Sequence, residues 1–155
     1  MLNDEFYFRI NHSTNKLINL KLFSKIEHIG IAIKDAKTSV ELFSKLFNAE
    51  PIKIETVESE NVNTIFFQVG ENKIELLEAT SSESAIAKFI EKKGEGIHHI
   101  AFDVKDIFAE IKRLKSEGFI FINEEPKRGA DNKLIAFIHP KSTNGVLIEL
   151  CQEIK

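Results

Sequence analysis

The chain has 155 residues, of which 43% are apolar and 29% charged, with a net charge of −3. That balance excludes a wholly disordered chain, and no apolar run approaches the ~20 residues needed to span a bilayer. Only three arginines occur and no basic excess exists, which argues against a nucleic-acid partner. Cys151 is the sole cysteine, so an intrachain disulfide is impossible and a reducing compartment is expected.

Residues 1–25 carry Asp4 and Glu5 early and lack an apolar stretch ending in a small-residue cleavage site. They are not a signal peptide, so cytoplasmic residence is expected. Their apolar positions (Phe6, Phe8, Ile10, Leu17, Ile18, Leu20, Leu22, Phe23) suit an extension outside the main domain that adds an edge strand or covers a neighbour, and equally a loosely held tail. A strand is expected from Glu27 to Ile33, followed by helical spacing over Ala36–Phe47, with Asp35 as the N-cap. Two strands follow, over residues 50–57 and 62–69. Gly70-Glu71-Asn72 then turns tightly into a strand holding Lys73-Ile74-Glu75-Leu76-Leu77. Residues 82–93 predict a linker helix with Ser82 or Ser84 as its cap, ended by Gly94 and Gly96.

The pattern then repeats. His98-His99-Ile100-Ala101 opens a strand, Asp106 caps a helix over residues 107–117, strands are expected over 119–123 and 133–139, and Leu147-Ile148-Glu149-Leu150-Cys151 closes the chain. Aligning His28 with His99 gives an offset of 71 residues, and aligning Glu75 with Glu149 an offset of 74. Two features at nearly one offset mark an internal duplication. Two β-α-β-β-β modules are therefore inferred, at 26–79 and 97–152, within one α+β domain spanning 26–152.

The duplication also selects the chemistry. A lone histidine or glutamate on a strand is ordinarily structural or solvent-facing. Here two histidines and two glutamates hold equivalent places, and a pseudo-two-fold axis brings all four together. A carboxylate on a half-buried strand is costly unless paired or metal-bound. Two neutral imidazoles and two carboxylates balance a divalent cation, and nitrogen plus oxygen donors suit Zn2+, Co2+, Ni2+ or Mn2+ better than Ca2+. His98, beside His99, is expected to point away or to support it from behind. Cys151 shares a face with Glu149 and is expected as a buried structural thiol.

The segments IEHIGIAIKD (26–35), VGENKIELLEATSSESAIAKFIEKKGEGIHHIAF (69–102), EEPKRGA (124–130) and FIHPKSTNGVLIEL (137–150) resemble the vicinal oxygen chelate superfamily and, more narrowly, the methylmalonyl-CoA epimerase family. The resemblance implies the glyoxalase fold, a curved mixed β-sheet around a metal site. It implies His28, Glu75, His99 and Glu149 as ligands to a divalent ion, typically Co2+. It further implies a homodimer and interconversion of (R)- and (S)-methylmalonyl-CoA in propionate metabolism. Some members carry a glutamate as base in the third strand, where this chain has Thr64. They also carry glutamine where it has Glu75. Glu75 and Glu149 are thus expected as the acid–base pair, and Lys141, Lys127 and Arg128 as anion partners of the acyl-CoA. The same ligand quartet fits a glyoxalase I-like lactoylglutathione lyase, and the fold also fits a non-catalytic ligand-binding protein.

Overall fold

The duplication is visible in the sheet itself. A computed structural model of the chain describes residues 22–155; residues 1–21, most of the expected extension, lie outside the described residues. The described residues form β1 (Phe23–Ile33), α1 (Ala36–Phe47), β2 (Lys53–Val57), β3 (Val62–Val69), β4 (Asn72–Ala79), α2 (Ala85–Lys93), β5 (Gly96–Val104), α3 (Ile107–Ser116), β6 (Lys127–Arg128), β7 (Lys133–Ile138) and β8 (Ile148–Glu153). The eight strands make one curled mixed sheet in the order β2-β3-β4-β1-β5-β8-β7-β6. Each half pairs its first strand parallel to its last and runs antiparallel outward from there. β1 and β5 meet antiparallel at the seam. This is the expected glyoxalase-type architecture of two tandem modules.

Local chemistry sets the element ends. The Asp35 carboxylate accepts from Thr38 N at 2.7 Å and Asp106 from Ala109 N at 3.0 Å, each satisfying an amide of a first helical turn. Ser84, rather than Ser82, caps α2 by accepting from Ile86 N at 3.2 Å. Gly70 and Glu71 form a two-residue turn between the paired Val69 and Asn72, with Gly70 at φ +61°.

Alternation along the strands separates two faces. On the outer face α1 packs against Ile33, Ile65, Phe67 and Leu76 through Val40, Phe43 and Phe47. There α3 buries Ile107, Ile111 and Leu114 against Val104, Ala136, Ile138 and Leu150. On the inner face α2 closes one end by packing Ile86, Phe89 and Ile90 on Ala32, Val62 and Leu77. The rest of that face is open and holds the site.

The edge of the second half departs from expectation. Residues 119–123 do not form a full strand. They touch β7 at a single bridge, Phe121 to Ile138, with Ile122 N donating to Phe137 O at 2.8 Å. Glu124-Glu125-Pro126 then leaves the ladder, since Pro126 has no N–H to give, and Lys127–Arg128 rejoins β7 as the short β6.

Candidate metal centre

His28 on β1, Glu75 on β4, His99 on β5 and Glu149 on β8 all face inward and converge at the seam. All four are at most 5% exposed. His28 Nε2 lies 2.9 Å from His99 Nε2. Glu75 Oε2 stands 3.2 Å from His28 Nε2 and 3.5 Å from His99 Nε2. Glu149 reaches the same two nitrogens at 3.9 and 3.4 Å. His28, His99 and Glu149 offer donor atoms within 4.8 Å of one another. Glu75 falls outside that mutual set, although its Oε2 approaches both Nε2 atoms.

The halves frame their imidazoles alike. Phe66 on β3 pairs with Glu75 and meets the His28 ring edge-on at 6.3 Å; Phe137 on β7 pairs with Glu149 and meets His99 edge-on at 5.7 Å. Two further residues come from irregularities in the seam. Between Ile26 and His28 the register shifts by one residue on β1, and between Ile97 and His99 by one residue on β5. Glu27 and His98 are these extra residues. A bulge breaks strict alternation, so each reaches inward beside the histidine that follows it. Glu27 Oε2 lies 2.5 Å from His28 Nδ1, and His98 Nδ1 lies 3.0 Å from His99 Nδ1. His98 thus supports His99 from behind, the second of the two placements expected for it.

The electrostatics of the two halves differ. Burial alone would lower the His28 pKa, but Glu75, Glu27 and Glu149 outweigh it and lift it to about 10. His99 approaches Glu75 and Glu149 as closely, but it shares them with the adjoining His28 ring and has His98 in place of a carboxylate behind it. Burial, reinforced by His28 and His98, drives it well below its ordinary value, so it is neutral. His98 is also neutral, pushed down to about 4 by burial and by Lys93. Burial raises Glu149 to about 8. Glu27 is equally hidden from solvent, yet hydrogen bonds from His28 and Lys73 overcome the burial cost and hold it at about 2.

This donor set fits a divalent cation. Two buried imidazoles turn Nε2 toward one point while each Nδ1 is engaged behind it. Two buried carboxylates flank them, and protons on His28 and Glu149 supply the positive charge that a cation otherwise would.

A cavity of about 320 Å3 opens from these side chains along the inner face, walled by Val62, Thr64, Leu77, Ile86, Ile135 and Phe137. Thr64, fully buried, donates through Oγ1 to Glu55 O at 3.1 Å. Lys127 lines the cavity, but its ammonium is 2.5 Å from Glu60 Oε1. Arg128 and Lys141 are exposed and are not part of the cavity wall, so the structure does not gather the three expected anion partners at one place. Cys151 is fully buried against Ala101 and Ile135, with its thiol pushed up by burial and by Glu149, as expected of a structural thiol.

Gly30 went unnoticed in the sequence. It pairs across the seam with His99, and a Cβ there would fall 2.3 Å from His99 Cε1. The ring lies directly over the glycine. Sequence reasoning also missed Glu27, although its place before His28 matches that of His98 before His99.

Comparison with known proteins agrees with this geometry. Residues 27–137 match the glyoxalase/bleomycin resistance protein/dioxygenase superfamily. The chain belongs to that superfamily. It is 38% identical over 127 residues to the mitochondrial methylmalonyl-CoA epimerase of Dictyostelium discoideum, covering 81% of this chain and 76% of the relative. It is 37% identical over 133 residues to the ethylmalonyl-CoA/methylmalonyl-CoA epimerase of Cereibacter sphaeroides, covering 84% and 99%. A variant of the Streptomyces coelicolor methylmalonyl-CoA epimerase, solved in complex with 2-nitronate-propionyl-CoA, superposes with a TM-score of 0.81. It is 34% identical and covers 84% of this chain and 95% of that one. None of the helices among the described residues is long and apolar enough to cross a membrane.

Proposed function

We propose that this protein is a metal-dependent epimerase that interconverts (R)- and (S)-methylmalonyl-CoA by moving the proton at C2. The observation that carries the reading is the meeting of two imidazoles and two carboxylates, one of each from either half, at the edge of an apolar cavity. The likeness to epimerases of CoA thioesters supports the choice of substrate.

His28, Glu75, His99 and Glu149 would hold the ion. Co2+ is the proposed metal, with Zn2+, Ni2+ and Mn2+ as the other candidates. A bound divalent ion supplies Lewis-acid stabilisation to charge developing on the thioester oxygen. The C2 proton lies between a thioester and a carboxylate, so its removal leaves an enolate. Inversion needs one group to take the proton from one face and another to return it on the other. Glu75 and Glu149 come from different halves and both approach the imidazole pair, which suits that division of labour. Thr64, whose hydroxyl already donates to Glu55 O, has no accessible pKa for it. Val62, Leu77 and Ile86 keep water from the enolate.

A cavity of about 320 Å3 is small for a ligand site. It would take the acyl head and adjoining chain, leaving the nucleotide outside, where the exposed Arg128 and Lys141 are the candidate anion partners. Asn123 lines the cavity with Lys127, and its side-chain NH2 would donate to the free carboxylate. Cytoplasmic residence, a homodimer and a place in propionate metabolism complete the proposal.

The test is C2 proton exchange in methylmalonyl-CoA in deuterated buffer, with and without chelator. Deuterium incorporation with exchange of the two stereoisomers, abolished by chelator and restored by Co2+, is expected. No exchange by the metal-loaded protein would overturn the substrate, and exchange unaffected by metal removal would overturn the metal's role.

A further inference from the structure

The support behind the two histidines is unequal, and on the Glu27 side it reaches into the other half of the fold. Glu27 Oε1 is 2.7 Å from Lys73 Nζ and 3.6 Å from Lys133 Nζ. Lys73 in turn is 2.6 Å from Asp131 Oδ2. Asp131 lies in the turn between β6 and β7, where it and Asn132 both have positive φ and Lys133 N donates back to Ala130 O at 3.2 Å. Asp131 is itself fixed by Lys53 Nζ at 3.2 Å, and its backbone N–H donates to Glu55 at 3.0 Å. A continuous chain of charge pairs thus runs from the β6–β7 turn of the second half to the His28 imidazole of the first. Among the described residues His98 has no comparable anchor; it meets His99 and lies T-shaped to Phe89, with ring centroids 5.0 Å apart. Where β4 places Lys73 two residues before Glu75, the apolar Leu147 stands two residues before Glu149, just ahead of β8.

We propose that Glu27 is a positioning residue for the metal centre, anchored through Lys73 and Asp131, and that His98 is its weaker counterpart behind His99. This rests on the metal reading above. A carboxylate accepting from Nδ1–H fixes the tautomer, turns Nε2 toward the ion and raises the basicity of the ligand. A neutral imidazole accepting from His99 Nδ1–H fixes the tautomer with less electron donation. Lys73 and Asp131 keep the Glu27 carboxylate from rotating, and because Asp131 comes from the opposite half, the packing of the two modules is tied to the aim of His28.

The experiment is Co2+ titration of metal-stripped protein, reading both the dissociation constant and the visible d–d absorption bands, for wild type, Glu27→Gln, Asp131→Asn and His98→Phe. Thermal unfolding of each metal-free variant runs alongside. The expected result is a 10–100-fold weaker Co2+ affinity with shifted bands for Glu27→Gln. A several-fold loss for Asp131→Asn and a smaller loss for His98→Phe than for Glu27→Gln complete the pattern. Asp131 lies in a surface turn, so its variant keeps the test open if Glu27→Gln fails to fold. Wild-type affinity and unshifted bands in Glu27→Gln, or in a folded Asp131→Asn if Glu27→Gln does not fold, would overturn the assignment. So would a larger loss in His98→Phe. Wild-type protein that takes up no Co2+ would overturn the metal reading itself, a different outcome from intact binding that ignores Glu27.

Discussion

The first and second halves of the site share a scaffold and differ in charge. Each places an imidazole on its opening strand, a carboxylate on its closing strand and a phenylalanine edge-on to the imidazole. Each inserts one residue by a bulge just before the histidine. In the first half that residue is Glu27 with Lys73 behind it; in the second it is His98 with Leu147 in the matching place. Glu27 adds to Glu75 in raising the His28 pKa, whereas His98 adds to burial and to His28 in lowering that of His99, although both rings are buried. The two halves share the backbone geometry around their histidines and differ in the neighbours of each. The protonation state of a buried group follows those neighbours more than its depth.

The largest expected effect tests whether the carboxylates are still equivalent in function. Glu149→Gln should lower kcat for epimerisation by about 10^2–10^4-fold, the usual worth of a positioned acid or base. Glu75→Gln should fall in the same range if the pair shares the proton transfer. Steady-state assays with metal content measured in parallel decide it. A Glu75→Gln protein that keeps its metal and near-wild-type turnover would confine the chemistry to the second half.

The helices give the next contrast. Among the described residues α3 buries Ile107, Ile111 and Leu114, whereas α1 has no fully buried residue and leaves Leu42 and Leu46 more than half exposed. Ile111→Ala should cost about 3 kcal/mol in denaturant unfolding. Leu46→Ala should stay within about 0.5 kcal/mol. Comparable losses would mean that the outer face of α1 is covered in solution.

A smaller effect is expected at the seam, where the halves differ by one methyl group. Gly30 lies opposite His99, and its equivalent Ala101 lies opposite His28. Gly30→Ala would set a Cβ 2.3 Å from His99 Cε1, so the ring must swing away, and Co2+ affinity should drop by about 10–100-fold. Ala101→Gly removes no ligand contact and should leave affinity within about threefold, checked by the same titration. An unchanged affinity in Gly30→Ala would mean that His99 is not a ligand.

These contrasts also mark what could be read from the residues alone. The tandem modules, the caps Asp35 and Asp106 and the four inward side chains follow from periodicity and repetition, which are properties of the local chain. Glu27 was hidden because strict alternation assigns it to the outer face, and only a shift in strand register turns it inward. Gly30 was hidden because its reason lies across the seam, in the volume of the His99 ring. The broken edge at residues 119–128 was hidden because apolar residues 119–122 read as a strand whether or not a partner ladder extends beside them. Lys127 fits an anion site by type, but its pairing with Glu60 depends on a contact between halves that the sequence does not encode locally.

The gentlest test of the asymmetry is pH. Without an ion, His28 holds a proton up to about pH 10 and Glu149 up to about pH 8. Both values are raised, so each group stabilises the fold below its ordinary pKa and loses that contribution as pH rises through the folded value. Below about pH 6.5 the lowered His98 and His99 act in the opposite sense, so metal-free protein should melt at progressively lower temperature from about pH 7 to pH 10. Metal binding must expel the same protons, so affinity should rise with pH by at most about tenfold per unit for each proton displaced. Calorimetric titration in buffers of different ionisation enthalpy should count about two protons released per Co2+ at pH 7 and about one at pH 9. Glu27, held at about 2, contributes none, because it is already ionised throughout this range. A count of zero at pH 7 would mean that His28 and Glu149 are already deprotonated before the metal arrives.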